Sequence, residues 1–292
     1  MRGLQQLKTS TASLRASSPR SRRWKATVGC FVIIAIAIAI AIGVVVLPNS
    51  PSTKGSSQAP ALKNPRADVS PSPNFLNTCS ASNLDSSGAC LAAVISATTN
   101  ARASEGVRAL SFNAASFRKL TIGEQLFVLV NLERTARGIA PFVVLSSQLD
   151  QVALNAARAQ VDPQMGADAV LIGSGPIVAW GSNWAGETPS AAVTNYYWMY
   201  EDGRGSSNVD CTPTTLKQCW GHRDNILDAF SEAGECSGRP VVLAMGAAEA
   251  PGDGAIPPPS FTELMSAACG PSPSSVVMTW TQAQALIDAG SA

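Results

Sequence analysis

The spacing of apolar residues predicts helices through the middle of the chain and strands towards its C-terminal end. The clearest helix spans 121–137, where Thr121 and Glu124 form a capping box and Gly138 ends the helix. Further helices are predicted over 89–107, from Ser147 to Asp162-Pro163 and over 189–202, with a loop or short strand over 166–182. Candidate strands lie over 241–245, 260–266 and 276–280. Helices on both sides of a small, mostly antiparallel sheet make an α+β fold, an α-β-α sandwich.

An apolar run of a different kind lies near the N-terminus. Residues 27–47 are 21 positions without a charge, and a helix that spans a bilayer needs about 20. Seven basic residues precede this run. The positive-inside rule therefore predicts a cytoplasmic tail (1–26), a transmembrane signal-anchor (27–47) and a single-pass cell-membrane protein whose remainder is extracellular. The alternative is secretion after signal cleavage, but signal peptides have apolar regions of about 7–15 residues, and Leu47-Pro48 is a poor cleavage site.

Composition divides the rest of the chain into three parts. Residues 48–76 are rich in Pro and Ser and predict an extended linker. A disulfide-bearing helical extension (77–119) and the main extracellular domain (120–292) follow. Beyond the N-terminal tail the chain has 14 basic and 20 acidic residues, which argues against nucleic acid as a partner because phosphate binding needs a basic surface. The membrane is the expected partner, and no sequence feature indicates an oligomeric state.

Six cysteines lie beyond the apolar run: Cys79, Cys90, Cys211, Cys219, Cys236 and Cys269. An even number outside a membrane anchor is typical of disulfide bonds in an oxidising compartment. Among the pairings that six cysteines allow, proximity in sequence favours Cys79–Cys90 and Cys211–Cys219, which leaves Cys236–Cys269. A zinc site is the alternative, although no Cys-x-x-Cys pair occurs and the single histidine cannot complete a Cys/His ligand set.

Four segments of the chain resemble the motifs of a known family in their residues and in their order along the chain. Segment 131–141 contains Asn-x-x-Arg and a Gly before its final Pro, and segment 181–185 reads Gly-Ser-Asn-Trp-Ala. Segment 221–227 reads Gly-His-Arg-Asp-Asn-Ile-Leu and holds His222, the only histidine of the chain, and 230–234 reads Phe-Ser-Glu-Ala-Gly. Together they resemble the bacterial branch of the CAP superfamily (cysteine-rich secretory, antigen 5 and pathogenesis-related proteins). The superfamily fold is an α-β-α sandwich.

The resemblance also implies a cleft with two histidines and two acids, a set that can hold a divalent metal. His222 matches the second histidine and Glu232 matches one acid. No histidine stands near Asp162-Pro163, where the first would fall. Ser182 replaces the other acid, with Glu187 as its candidate substitute. Because half of the set is missing, neither zinc binding of the usual kind nor any cofactor is expected.

The function implied by the resemblance is a non-enzymatic module that binds lipids, other apolar small molecules or cell-wall partners. The candidate cleft residues are His222, Glu232, Glu187, Ser182, Asn183, Glu133 and Arg134. The alternative for His222 is an imidazole bonded to backbone at a helix start, and the alternative for Glu133 and Arg134 is an internal ion pair. Residues 196–200, rich in Tyr, either line an apolar groove or pack in the core.

A hydrolase acting on peptidoglycan or peptide is the alternative function, with Glu187, His222 and Glu232 as its candidate catalytic residues. The chain has no Gly-x-Ser-x-Gly elbow for a serine nucleophile, and pairing of all six outer cysteines leaves no thiol nucleophile. No phosphate-binding loop or dinucleotide fingerprint occurs in the sequence. A purely structural envelope protein is the third hypothesis.

Overall fold

The computed structural model describes residues 63–80, 84–230, 236–251 and 259–288. The predicted cytoplasmic tail and transmembrane run, together with the first part of the linker, lie outside these residues. Within the described ranges, no helix is both long enough and apolar enough to cross a membrane. The described part of the chain is a mixed α/β structure.

Seven α-helices and six strands occur among the described residues. The helices are α1 (Gly88–Ser104), α2 (Ala114–Phe117), α3 (Ile122–Ala136), α4 (Ser147–Ala159), α5 (Ala191–Tyr200), α6 (Gly221–Leu227) and α7 (Trp280–Asp288). The strands are β1 (Val144–Ser146), β2 (Val170–Leu171), β3 (Gly175–Gly186), β4 (Val241–Ala250), β5 (Ser260–Cys269) and β6 (Val276–Thr279).

Local sequence signals explain where the main helices begin. The capping box predicted for α3 is confirmed: the Thr121 side chain accepts from the Glu124 backbone, and the Glu124 side chain accepts from the Thr121 backbone. Ser87 and Ser190 cap α1 and α5, each accepting a hydrogen bond from the backbone N–H group three residues on. Each cap is worth about 1 kcal/mol, so these serines define the helix starts.

The strands form one sheet in the order β2-β3-β5-β4-β1-β6, in which β1 and β4 run parallel and the other neighbours antiparallel. The two outer strands approach each other at one end, because the N–H group of Ser274, before β6, donates to the carbonyl of Ile172, after β2 (3.1 Å). The sheet is therefore curled. At the same end, the Gln148 side chain bonds the carbonyl of Val170 and the N–H group of Ile172, both at 2.8 Å.

The hydrophobic core lies on both faces of the sheet. Side chains alternate along a strand, so Phe261 and Met265 of β5 point into a large cluster with α1, α3 and α5. Leu264 points the other way, into a smaller cluster with Leu149 of α4. Helix α1, from the predicted extension, belongs to the large cluster through Leu91, and the extension therefore shares one core with the main domain.

Three predicted boundaries differ from the observed ones for physical reasons. The stretch 166–182 holds β2 and part of β3, whose long pairing with β5 overrides its loop-like glycines. Trp280, predicted to end a strand, begins α7, because Thr279 and Gln282 form a second capping box there. The predicted linker is shorter than 48–76, since Phe75 is fully buried in the core.

Candidate functional site

His222 lies in the first turn of α6, where the chain bends back towards the end of α5. Trp220 precedes the helix in the left-handed region (φ 67°), and its N–H group donates to the carbonyl of Asp202 (2.7 Å). Gly203 makes room for this bend, because a Cβ atom there would lie 2.6 Å from the Trp220 ring. The bend brings His222 to the acid that follows α5.

Asp202 holds His222 through both carboxyl oxygens. Oδ1 lies 2.6 Å from Nδ1 of the imidazole, and Oδ2 accepts from the backbone N–H groups of His222 (2.9 Å) and Arg223 (3.3 Å). Asp202 therefore caps the N-terminus of α6, where negative charge is favourable. With Nδ1 engaged, Nε2 is the ring nitrogen left to meet a ligand.

Acidic neighbours determine the charge of His222. Burial lowers the pKa of the imidazole, but the hydrogen bond and charge of Asp202, with the charges of Asp162 and Asp210, outweigh burial and raise it above the ordinary value. The side chain keeps 18 % of its surface exposed. His222 is therefore an accessible group whose proton is retained to a higher pH than that of a free histidine.

Asp162 brings a second acid to the site from the turn after α4. Burial raises the pKa of its carboxyl group to about 6, while the charge of His222 and a hydrogen bond from the backbone of Trp184 act in the opposite direction. Its Oδ1 atom is buried without a hydrogen-bond partner among the described residues. A buried oxygen of this kind is costly unless something bonds it, which makes Asp162 a candidate ligand-binding group.

A polar network joins α6 to the sheet beneath it. Asn183 of β3 donates to Glu263 of β5 (2.7 Å) and to the carbonyl of His222 (3.1 Å). Asn225 of α6 donates to the side-chain oxygen of Asn183 (3.0 Å). Gly181 allows this approach, since a Cβ atom there would lie 2.9 Å from the Asn225 side chain. The network fixes the height of His222 above the sheet.

Glu263 is the buried acid of this network. It is fully buried in the middle of β5, and burial raises its pKa to about 8 against the effects of the Asn183 hydrogen bond and the His222 charge. Within the described structure, its Oε2 atom has no hydrogen-bond partner. Glu263 is therefore mainly protonated and uncharged at neutral pH.

The site stands on the outer edge of β3, beyond its short pairing with β2. Asn225 donates to the carbonyl of Ser182 (2.8 Å), and the Trp198 indole donates to the carbonyl of Trp184 (3.4 Å). The backbone N–H group of Trp184 donates to Asp162. Side chains of the site thus take the places that a further strand would otherwise fill.

The residues predicted from the 181–185 and 230–234 segments do not all meet at His222. Asn183 bonds its backbone, but Ser182 points to the opposite face of the sheet because strand neighbours alternate. Glu187 is exposed, with a left-handed backbone (φ 61°), and at about 3.3 Å per residue it lies about 13 Å along the chain from Asn183. Glu232 lies outside the described residues.

Glu133 and Arg134 are buried inside the protein and do not line an open cleft. Glu133 pairs with Arg102 of α1 (3.0 Å) and with Arg137. Burial raises the pKa of Glu133, but the two arginines outweigh burial and lower it. Arg134 donates to the carbonyl of Ile226 at the end of α6 (2.7 Å). Both residues therefore organise the interior around α6.

The aromatic run at the end of α5 packs in the core. Tyr196, Trp198, Met199 and Tyr200 are buried, and the Tyr200 hydroxyl donates to Glu133 (3.0 Å). The Trp198 ring stacks against His222, with 6.3 Å between ring centres. Because these side chains face the interior, they do not form the lining of an open apolar groove.

The disulfide pairing predicted from sequence is confirmed: Cys79–Cys90, Cys211–Cys219 and Cys236–Cys269 are bonded. Cys211–Cys219 closes the loop directly before α6, and the three bonds indicate an oxidising environment. In the described part of the chain, the only three potential metal ligands whose ligand atoms lie within 4.8 Å of one another are Cys79, Asp85 and Cys90. The two sulfurs of this group are joined to each other in a disulfide, whereas a metal-binding cysteine must be a thiolate, so this group does not form a metal site.

Sequence reasoning missed Asp202 and Glu263. Glu263 carried a signal, because it is a single acid within the apolar strand 260–269, and a buried acid in such a strand is a candidate for a perturbed pKa. Asp202 carried none, since it lies 20 residues from His222 and no local motif joins the two. Their contact depends on the bend between α5 and α6.

Comparison with known proteins gives no relative: no family model, curated protein or solved structure matches the chain. The chemistry of the site therefore rests on its own residues. Asp202 orients the imidazole of His222, so Nε2 donates a hydrogen bond when the ring is protonated and accepts a proton when it is neutral. Asp162 adds an acceptor oxygen. The arrangement is suited to binding a polar group or to moving a proton.

Proposed function

We propose that the chain is a cell-envelope protein with a divergent CAP-superfamily domain that binds a polar cell-wall ligand at His222. Contacts between the segments that carry the resemblance support the family. Arg134 of the first segment bonds the carbonyl of Ile226 in the third, and Asn183 of the second bonds the carbonyl of His222. Phe230 begins the fourth segment, and its ring centre lies 5.7 Å from the Arg134 guanidinium. Segments far apart in sequence thus contact one another around α6.

The proposed fold is the α-β-α sandwich of that superfamily. Two observations support it. The sheet is antiparallel except for the β1–β4 pair, and its two faces carry separate hydrophobic clusters, one with α4 and one with α1, α3 and α5. Three layers of this kind bury the apolar faces of all the elements.

The domain is proposed to lie outside the cell membrane, held by an anchor helix over 27–47. The length of the uncharged run and the basic residues before it support the anchor. The three disulfides support the outer side, because such bonds persist in oxidising compartments.

The single observation that carries the binding function is the 2.6 Å contact between Nδ1 of His222 and Asp202. It fixes the ring and leaves Nε2 for a ligand, while Oδ1 of Asp162, which has no hydrogen-bond partner in the described part of the chain, offers an acceptor. Hydroxyl and amide groups, which both donate and accept, satisfy such a pair, and cell-wall glycans and peptides are rich in them. The burial of the α5 aromatic run in the core disfavours an apolar ligand.

Binding of purified peptidoglycan by the full-length chain in mild detergent tests this function. We expect co-sedimentation of the wild type, and a loss of about tenfold or more in His222→Gln because the ligand loses a charge-assisted hydrogen bond. Asp168→Asn, which removes an exposed acid, is the matched control and should bind normally. Equal binding by wild type and His222→Gln would sink the proposal.

A hydrolase acting on peptidoglycan or peptide is the second candidate, and the same His222–Asp202 pair favours it. An imidazole oriented by a carboxylate can take a proton from water, as a general base does, with Asp162 beside it. Here Asp202 and Asp162 replace Glu187 and Glu232 as the partners of His222. Release of soluble fragments from peptidoglycan, abolished in His222→Gln and Asp202→Asn, is the expected result for an enzyme. Undiminished release in both variants would exclude these residues as its catalytic groups.

A further inference from the structure

The first described residues of the chain lie against the junction of α5 and α6, beside the candidate site. The N–H group of Val69 donates to the carbonyl of Tyr200, the last residue of α5 (2.8 Å). The Tyr196 hydroxyl donates to the carbonyl of Val69 (2.8 Å). At the other end of the segment, the Asn64 side chain donates to Asp224 of α6 (2.8 Å). The segment Lys63–Val69 therefore bridges both helices that carry the site, and we call it the strap.

Asp68 makes the central contact of the strap. Its Oδ1 atom accepts a hydrogen bond of 2.6 Å from the N–H group of Gly203. This N–H group belongs to the peptide that joins Gly203 to Asp202, whose side chain holds His222. The carbonyl of Asp202 accepts from Trp220. Asp68 and Trp220 thus hold the N–H group and the carbonyl of the peptide that directly follows Asp202, the residue that orients the imidazole.

The fit around Gly203 leaves little freedom for this backbone. A Cβ atom at Gly203 would lie 2.8 Å from Oδ1 of Asp68 and 2.6 Å from the Trp220 ring. Gly203 is packed between the strap and Trp220, the residue before α6. In close-packed protein a shift of one neighbour is passed to the other. We therefore expect a movement of the strap to shift Asp202.

The strap also adds charge to an acidic neighbourhood. Burial raises the pKa of Asp68, the Gly203 hydrogen bond lowers it, and the charge of Asp202 raises it further. The charge of Asp68 in turn raises the pKa of Glu201, although burial is the larger cause. Other charged groups that act on His222 or Asp224 at this junction are Asp162 and Asp210, with Asp228 and Arg223 on or next to α6. The neighbouring acids repel the Asp68 carboxylate, and its hydrogen bond from Gly203 keeps it in place.

We propose that the strap positions the His222–Asp202 pair, with Asp68 as its positioning residue. The strap is the route by which the chain enters the domain from its N-terminal part, so the site is tied to the segment that leads to the proposed anchor. This inference deepens the proposed function by naming a control on the same site. The ligand is not needed to test it.

The test is a titration of His222 by nuclear magnetic resonance in the full-length chain in mild detergent, where the single histidine gives one imidazole signal. In Asp68→Ala the backbone at Asp202 loses a support, which weakens the hydrogen bond between Asp202 and His222. We therefore expect the pKa of His222 to fall towards the ordinary value of about 6.5. Asp68→Asn keeps an oxygen that accepts from Gly203 and should restore most of the wild-type pKa. Equal shifts in both variants would mean that charge alone acts, and the proposal would fail.

A second measurement keeps the proposal testable if Asp68→Ala is poorly folded. Coupling between two positions is reciprocal, so His222→Gln should speed hydrogen exchange of the strap amides by about fivefold or more. Asp168→Asn, which removes an exposed acid before β2, should leave strap exchange at the wild-type rate. Unchanged exchange in His222→Gln would overturn the coupling. Because neither experiment uses peptidoglycan, failure of the proposed ligand would leave both results interpretable.

Discussion

At the scale of single residues, two buried glutamates take opposite charge states because their partners differ. Glu133 lies between two arginines, and their charges outweigh burial and lower its pKa. Among the described residues Glu263 has only the amide of Asn183 as a hydrogen-bond partner, and burial raises its pKa to about 8. Burial raises the pKa of both carboxyl groups, so the presence of a guanidinium decides the charge. Glu133 is therefore a buried carboxylate in an ion pair, whereas Glu263 is a protonated carboxyl group beneath the site.

The His222–Asp202 pair gives the first prediction at this scale. In Asp202→Asn the acidic partner is lost, burial acts with less opposition, and the pKa of His222 should fall below its wild-type value. A histidine with a raised pKa contributes stability that is fully present below its unfolded value of about 6.5 and disappears as the pH rises through its folded pKa. The variant should lack this pH-dependent stability.

The single imidazole signal of the full-length chain reports the change directly, and chemical denaturation at pH 5.5 and pH 8.5 reports the stability. Asp168→Asn is the matched control. A titration midpoint identical to that of the wild type would contradict the role assigned to Asp202.

At the scale of elements, α6 depends on neighbours for its existence. It has seven residues, and an isolated helix of that length is unstable in water. Asp202 caps its N-terminus, and Arg134 bonds the carbonyls of Ile226 (2.7 Å) and Asp228 (2.8 Å) at its other end. Arg223 ties its first turn to the carbonyl of Met199 (2.6 Å). Residues outside the helix thus supply the stability that its length cannot.

Arg134→Ala tests this dependence. The substitution leaves two carbonyls at the end of α6 without a donor, and we expect it to lower the free energy of unfolding by about 2–4 kcal/mol. Arg158→Ala removes an exposed arginine of α4 and should change stability by less than about 0.5 kcal/mol. Urea denaturation of both variants measures the difference, and equal small effects would show that Arg134 does not hold α6.

The Cys211–Cys219 loop is the second element whose removal has a defined cost. The bond closes a short loop, with a sequence separation of 8, and Cys211→Ser with Cys219→Ser should cost about 2–3 kcal/mol by loop-closure entropy. Because the loop leads directly into Trp220 and α6, the doubly substituted chain should also show a broader His222 signal. A melting temperature equal to that of the wild type would count against a stabilising role for this bond.

At the scale of the whole molecule, buried acids make stability depend on pH. The pKa of Glu263 is about 8 in the folded protein against an ordinary value of 4.5. The folded state therefore binds more protons than the unfolded state between these values, and its stability falls as the pH rises from about 4.5 to 8. Asp162, with a folded value of about 6 against 3.8, adds to the fall over the lower part of the window.

Glu263→Gln removes the larger contribution. The amide resembles the protonated acid, so wild type and variant should be similarly stable at pH 4.5, and the variant should be more stable above pH 8 by about 3–5 kcal/mol. Denaturation curves across this range measure the slope. Parallel pH profiles for the two proteins would show that Glu263 does not titrate as described.

Sequence predicts the parts of this molecule that depend on neighbours along the chain. The capping box at Thr121, the strands β4 and β5 and the disulfide between Cys79 and Cys90 follow from local spacing and are all observed. Strand β1, in contrast, is not among the predicted elements, because its three residues are too few to show a strand period. The mixed α/β class follows from the sequence of elements in the same way.

The site is less predictable because its contacts are long in sequence. His222 was identifiable as the only histidine, and Asn183 came from the resemblance, but Asp202 and Glu263 approach only when α5, α6 and the sheet are packed. The separation of 80 residues between Asn183 and Glu263 means that no local pattern joins the two residues, although Glu263 stands out as a single acid in an apolar strand. Glu187 was favoured because it is close to Ser182 along the chain, yet an extended strand carries it away.

The placement of the site on the outer edge of β3 has a consequence for solubility. Asn225, Trp198 and Asp162 bond the backbone of that strand, and an uncovered strand edge recruits strands from other molecules. Variants that strip these side chains should therefore self-associate as the edge opens. Asp162, which offers an acceptor to the proposed ligand, would then also help to keep the chain monodisperse at high concentration, so light scattering should accompany every binding assay on its variants.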